Sequence, residues 1–368
     1  MRRLNLLLSS LLALLFVAQE ASASASPLVS LPAAVAASPG IEGLESVTVA
    51  TSSGPRHALV YDAVRSPTAL VVLLHGMGSD AAQMRAATGF GFERLAAQAG
   101  WLVAYAQGVG NSWNDCRRTP QYPARRAGVD DVTFLVELVR TLRERYDVAG
   151  GGSAIAADRV LLGGYSNGGH MALRVALERP DALGGILVIG AQLPTAAESI
   201  CAEGLRSLNA LFIAGTSDAV APYDGGAARG PDGGSLGMVD SVAGSAYRIA
   251  RTQPYLVMAR SLGNRDTDPQ THVQLRRWRH VDGLVELYTI VGGGHTIPQN
   301  FTTSPSMFGA TSADIDTATV TLAFMQQWSS RQAVGWQRKV DAFRSAAQEK
   351  RRMVARAKLK GARESPPG

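Results

Sequence analysis

The chain has 368 residues, with 36 Lys/Arg, 30 Asp/Glu and a formal charge of +6. Apolar residues make up 46% and charged residues 18%, which excludes a disordered or fibrous chain and leaves ample sequence for a core. Beyond residue 330 there are 11 Lys/Arg against 3 Asp/Glu, while residues 31–330 carry a net −3, so the basic character belongs to the tail and gives no support for a nucleic-acid-binding domain.

The chain opens with Arg2 and Arg3, an apolar run over 4–18, and Ala21-Ser22-Ala23-Ser24-Ala25. A basic start, an apolar stretch and a small-residue cleavage site predict a signal peptide over 1–25. The run is short of the ~20 residues that a membrane span needs. No later run is long enough, so the mature protein is expected to be secreted or periplasmic, with no transmembrane segment. Residues 26–45, rich in Ala, Ser and Pro, read as a linker.

Alternating segments at 46–53 and 57–63 predict an antiparallel hairpin. Ala69-Leu70-Val71-Val72-Leu73-Leu74 is continuously apolar, as a strand buried on both faces must be. Helical spacing covers 80–99, a strand 101–105, and an amphipathic helix 130–146 with Asp130 placed to cap it. Strands are then expected at 159–163, 185–191, 209–214 and 284–291. Between them lie a helix over 169–178, a second crossover near 194–207, and a loop-plus-helix insertion at 219–275. A last helix is expected over 312–328, followed by the basic tail 331–368. Strands alternating with helices predict a parallel sheet. Eight strands, with the functional turn after the fifth, predict an α/β-hydrolase fold: an eight-stranded, mostly parallel sheet flanked by helices, the catalytic domain spanning 46–330.

That turn is Gly164-Tyr165-Ser166-Asn167-Gly168, between an apolar strand and a helix. A G-x-S-x-G sequence there forms a nucleophile elbow, where the glycines let the chain reverse and hold the serine hydroxyl out at the sheet edge. Serine needs a base, and the base needs an acid to orient it. In this chain order the acid follows the seventh strand and the histidine the eighth. Asp218 ends the run Leu211-Phe212-Ile213-Ala214-Gly215-Thr216-Ser217-Asp218, with Asp224 as competitor, and His295 follows Gly292-Gly293-Gly294. Of the other histidines, His57 falls in the first hairpin, His170 on the elbow helix, and His272 and His280 ahead of the last strand. A tetrahedral intermediate needs oxyanion donors. The expected donors are the amides of Asn167 and of Met77, in the loop His75-Gly76-Met77-Gly78-Ser79, where His75 would position backbone.

No C-x-x-C, H-E-x-x-H or tight Cys/His cluster occurs, so no metal and no cofactor is expected. Export permits a disulfide between Cys116 and Cys201, and we expect that pair; two buried thiols are the alternative.

Several of these pieces, with others, resemble secreted esterases of the polyhydroxybutyrate depolymerase and feruloyl/acetylxylan esterase type. The matching residues are Leu74-His75-Gly76, Tyr105-Ala106-Gln107-Gly108 with Ser112-Trp113-Asn114, and Val129-Asp130-Asp131-Val132. Further on come the elbow with Gly169, Gly215-Thr216-Ser217-Asp218 with Pro222-Tyr223-Asp224-Gly225-Gly226, and Gly292-Gly293-Gly294-His295-Thr296. The resemblance implies Ser166 as nucleophile, Asp218 as acid and His295 as base. It also implies that Trp113, like a family aromatic near the active site, contacts substrate; simple packing is the alternative. Two points depart from it: Ile297 precedes Pro298 where an aromatic is usual, and the loop after Gly108 lacks Pro-Asp-Gly.

The expected function is hydrolysis of carboxylic esters, short-chain hydroxyalkanoate, acetyl or feruloyl, on a substrate that is soluble or polymeric. A serine peptidase on the same fold and a silent binding module are the alternatives. The tail, with Lys350-Arg351-Arg352, is suited to anionic surfaces or to simple solvation.

Overall fold

The structure is a computed structural model. It describes residues 44–328 apart from 65, 148–154, 202–207, 231, 251–254, 263–269, 281–282 and 302–305. The expected signal peptide, nearly all of the linker, and the basic tail lie outside the described residues.

The first hairpin forms from β1 (Leu44–Thr51) and β2 (Gly54–Asp62), turning at Ser52-Ser53. Then come β3 (Ala69–Leu74), β4 (Trp101–Ala106), β5 (Val160–Tyr165), β6 (Gly185–Ile189) and β7 (Asn209–Gly215). A small hairpin of β8 (Gly226–Arg229) and β9 (Ser235–Val239) stands apart from the main sheet. The chain then adds β10 (Tyr255–Ser261), β11 (His272–His280) and β12 (Gly283–Val291). The main sheet runs β1-β2-β4-β3-β5-β6-β7-β12-β11-β10. From β4 to β12 every pairing is parallel, while β1 and β2 at one edge and β11 and β10 at the other are antiparallel.

Helices cover both faces, and the strand sequences show why. In β3 every residue is buried. Leu70, Val72 and Leu74 pack on one face, with α4 (Asp131–Asp147), α5 (Asn167–Glu178) and α6 (Val242–Ala250). Ala69, Val71 and Leu73 pack on the other, with α1 (Ala81–Ala87), α2 (Gly91–Ala99) and a last helix, α7, over 317–328. Side chains alternate between faces along a strand, so only an all-apolar strand satisfies both layers. The short α3 (Pro123–Arg126) lies in the loop after β4.

Two expectations need correction. The sheet has ten strands rather than eight, because the segment read as loop plus helix at 219–275 carries α6, the β8–β9 hairpin, all of β10 and the start of β11. The helix read over 80–99 is two helices, broken where Gly89 and Phe90 both take left-handed φ of 58°. The second crossover, expected near 194–207, is described over 194–201, where no helix forms. Asp130 does cap α4, its Oδ1 accepting from the Thr133 amide at 2.9 Å.

Candidate active site

Ser166 ends the β5 turn and precedes α5, with φ 53° and ψ −119°. A left-handed φ on a residue with a Cβ costs on the order of 1–3 kcal/mol and persists only where the surroundings enforce it. Here they do. A Cβ on Gly164 would lie 2.2 Å from the carbonyl carbon and oxygen of Gly168, and one on Gly168 would lie 2.4 Å from the Leu74 carbonyl. The Ser166 amide is fixed by the Ile189 carbonyl at 2.8 Å.

His295 follows β12. Its Nδ1–H donates to Asp218 Oδ2 at 2.7 Å, which leaves Nε2 to accept from the Ser166 hydroxyl at 2.9 Å. Asp218, after β7, is held by its own turn: Oδ1 accepts from the amides of Val220 (2.8 Å) and Ala221 (2.7 Å). Asp218 and His295 are both buried, whereas Asp224 is exposed. The Tyr165 hydroxyl donates to the His295 carbonyl at 2.6 Å, and burial, then the nearby Asp218 charge, raises the Tyr165 pKa and keeps it a donor. A Ser–His–Asp chain of this geometry can generate a nucleophilic alkoxide and hold the imidazolium that results.

The other histidines are elsewhere. His57 Nδ1 meets Thr48 Oγ1 at an exposed position in the first hairpin. His272 starts β11 and is exposed, and His280 ends that strand. His170 is buried on α5; burial, then the Arg117 charge, depresses its pKa to about 3.

The loop after β3 lies against the nucleophile: a Cβ on Gly76 would stand 3.5 Å from Ser166 Cβ. His75 Nε2 accepts from the Gly108 amide at 3.0 Å, so Nδ1–H donates to the Gly76 carbonyl at 2.8 Å. That is the neutral imidazole, in keeping with burial lowering its pKa. The amides of Met77 and Asn167 donate to no protein acceptor among the described residues.

Trp113 does not line a surface open to substrate, as the sequence led us to expect. It is fully buried, its indole Nε1–H donating to the His75 carbonyl at 2.9 Å. Cys116 and Cys201 form a disulfide with Cα atoms 5.2 Å apart. Sequence reasoning overlooked two buried neighbours of that bridge, Asp115 and Arg117, paired at 2.7 Å. Burial alone would raise the Asp115 pKa, but the Arg117 guanidinium and its hydrogen bonds hold it below the ordinary value. Opposite charges flanking a cysteine, Asp115-Cys116-Arg117, were the available signal. Among the described residues no group of His, Cys, Asp and Glu is placed to share a metal ion, and no helix is long and apolar enough to cross a membrane.

Residues 55–229 match the family described as phospholipase/carboxylesterase, a span holding Ser166 and Asp218 and stopping short of His295. A curated relative from Nocardia uniformis subsp. tsuyamanensis, named "Putative esterase NocK", is 28% identical over 270 residues, 70% of this chain and 73% of that protein. Among solved structures, an acetyl xylan esterase from Aspergillus awamori is 16% identical, covering 70% of this chain and 95% of its own, with a TM-score of 0.47. A thermostable esterase is 18% identical with a TM-score of 0.38, the match covering 50% of this chain and 49% of that one. The strand order, the elbow after β5 and the placement of Asp218 and His295 after β7 and β12 give this chain the α/β-hydrolase fold, and over residues 55–229 it is similar to the phospholipase/carboxylesterase family.

Proposed function

We propose that this protein is an exported serine hydrolase that cleaves carboxylic esters, of hydroxyalkanoate, acetyl or feruloyl type, through an acyl-enzyme. The observation that carries the reading is the continuous Ser166–His295–Asp218 chain, with contacts of 2.9 and 2.7 Å, at the carboxyl edge of the sheet. Ser166 Oγ attacks the ester carbonyl carbon while His295 Nε2 takes its proton. The carbonyl oxygen, now negative, is held by the amides of Met77 and Asn167. The intermediate collapses, and the alcohol leaves with the proton from His295. Water, activated by His295, then releases the acid and restores Ser166.

The family match and the esterase name of the Nocardia relative support a carboxylic ester as substrate. Export is supported by the signal-like residues 1–25 and by the Cys116–Cys201 bridge, since disulfides persist in oxidising compartments. The proposed organisation is signal peptide 1–25, linker 26–45, catalytic domain 46–330 and a basic tail 331–368, whose charge suits an anionic surface.

The test is turnover of p-nitrophenyl acetate, methyl ferulate, a 3-hydroxybutyrate dimer and a peptide panel. We expect ester turnover that Ser166→Ala abolishes, with peptides untouched. Peptide cleavage that exceeds ester cleavage would overturn the reading.

A further inference from the structure

The two amides assigned to the oxyanion belong to separate parts of the chain. Asn167 N–H opens α5, and its direction follows the helix. Met77 N–H sits in an irregular loop, and the Met77 side chain is 44% exposed, so its own packing does not hold the loop. Electrostatic stabilisation of an oxyanion depends on donors that are fixed before the charge develops. Something must set the distance between these two.

Trp113 is bonded to both sides. Its indole Nε1–H donates to the His75 carbonyl at 2.9 Å, two residues before Met77. Its main-chain amide donates to Asn167 Oδ1 at 2.8 Å, and its main-chain carbonyl accepts from Asn167 Nδ2 at 3.1 Å. Asn167 Nδ2 also donates to Asp115 Oδ2 at 2.7 Å, a carboxylate that Arg117 holds in place. Neighbouring backbone pins the loop further: Gly108 N–H donates to His75 Nε2 at 3.0 Å, and Gly78 N–H to the Asn111 carbonyl at 2.8 Å. Trp113, Asn167, Asp115, Arg117 and His75 are all buried, so water does not compete for these bonds.

We infer that Trp113 and the side chain of Asn167 form a clasp that fixes the Met77 and Asn167 amides relative to each other. The inference rests on the serine-hydrolase reading above and makes both groups positioning residues for ester hydrolysis. The Asn167 side chain acts separately from its backbone: it can be removed while the amide donor stays.

Two variants separate this role from simple packing. Trp113→Phe keeps an aromatic ring and loses the N–H, and Asn167→Ala keeps the backbone amide and loses all three side-chain bonds. With p-nitrophenyl acetate, each is expected to lower kcat by about 10- to 100-fold with KM within about threefold, the loss falling on the transition state. The double variant should lose little more than either single one, because the residues act as a unit. Affinity for butylboronic acid, whose serine adduct is tetrahedral, should fall by the same factor as kcat/KM. Should Trp113→Phe fail to fold, Asn167→Ala and the boronate measurement decide alone. An active wild type, silenced by Ser166→Ala, whose folded variants keep kcat and boronate affinity overturns the clasp only. Lost kcat with unchanged boronate affinity also overturns it. A wild type without turnover overturns both the clasp and the reading beneath it.

Discussion

On the nucleophile side of the site, buried side chains hold the backbone. Trp113, His75, Asn167 and the Asp115–Arg117 pair bond to main-chain groups on two loops, those after β3 and β4, and the Cys116–Cys201 bridge ties the second of these to the segment between β6 and β7. On the acid–base side, glycines bring backbone against backbone. A Cβ on Gly215 would lie 2.2 Å from the Gly293 carbonyl oxygen, and one on Gly294 would lie 2.0 Å from that of Phe308. The Ser217 amide bonds the Gly293 carbonyl at 2.9 Å, and the His295 amide the Phe308 carbonyl. The difference teaches where each half is vulnerable: the first to removing a side chain, the second to adding one.

The largest expected effect is on the first half. Cys116→Ser with Cys201→Ser opens a link between residues 85 apart in sequence. In the chain-entropy model that costs about 4–5 kcal/mol, read as a shift of the urea midpoint. Asp115→Ala leaves the Arg117 charge buried and unpaired, at a cost of about 3–5 kcal/mol by the same measurement. Gly215→Ala probes the second half. Its new methyl meets main chain that has no rotamer to change, so a stability loss of about 1–3 kcal/mol is expected. Because the displaced segment leads to Asp218 and His295, kcat should fall more steeply than stability. If Gly215→Ala behaved like a surface change, the contrast between the halves would be wrong.

The smallest effect is a pH dependence from His170. Its folded pKa of about 3 lies below the ordinary value of 6.5, so protonation favours the unfolded chain. The contribution is complete above about pH 6.5 and is lost as pH falls toward about 3. Between pH 7 and pH 5 stability should therefore drop by about 2 kcal/mol on this account. His75, also depressed by burial, acts in the same direction. Urea denaturation of His170→Gln at the two pH values should show a drop smaller by about that amount; an unchanged drop would remove His170 from the account.

The central sheet was legible because β3, β5 and β7 are buried on both faces and read as unbroken apolar runs. The order of Ser166, Asp218 and His295 followed from those strands. What escaped notice depends on partners distant in sequence. β11, His272-Val273-Gln274-Leu275-Arg276-Arg277-Trp278-Arg279-His280, carries arginines that read as loop. It is a strand because Val273 and Leu275 pack on one face and Trp278 on the other, while Arg277 pairs with the buried Glu286 of β12. The break at Gly89-Phe90 was hidden for a similar reason, since helical spacing continues through it. The burial of Trp113 had no local sign either; its partners, His75 and Asn167, lie 38 and 54 residues away.

The most direct test of the central claim is covalent labelling of the nucleophile. The intact protein is treated with a fluorophosphonate, its mass is measured, and the modified peptide is sequenced. One adduct is predicted, on Ser166, absent from Ser166→Ala and strongly slowed in His295→Ala. An unlabelled wild type, or an adduct on another residue, would contradict the assignment of this site.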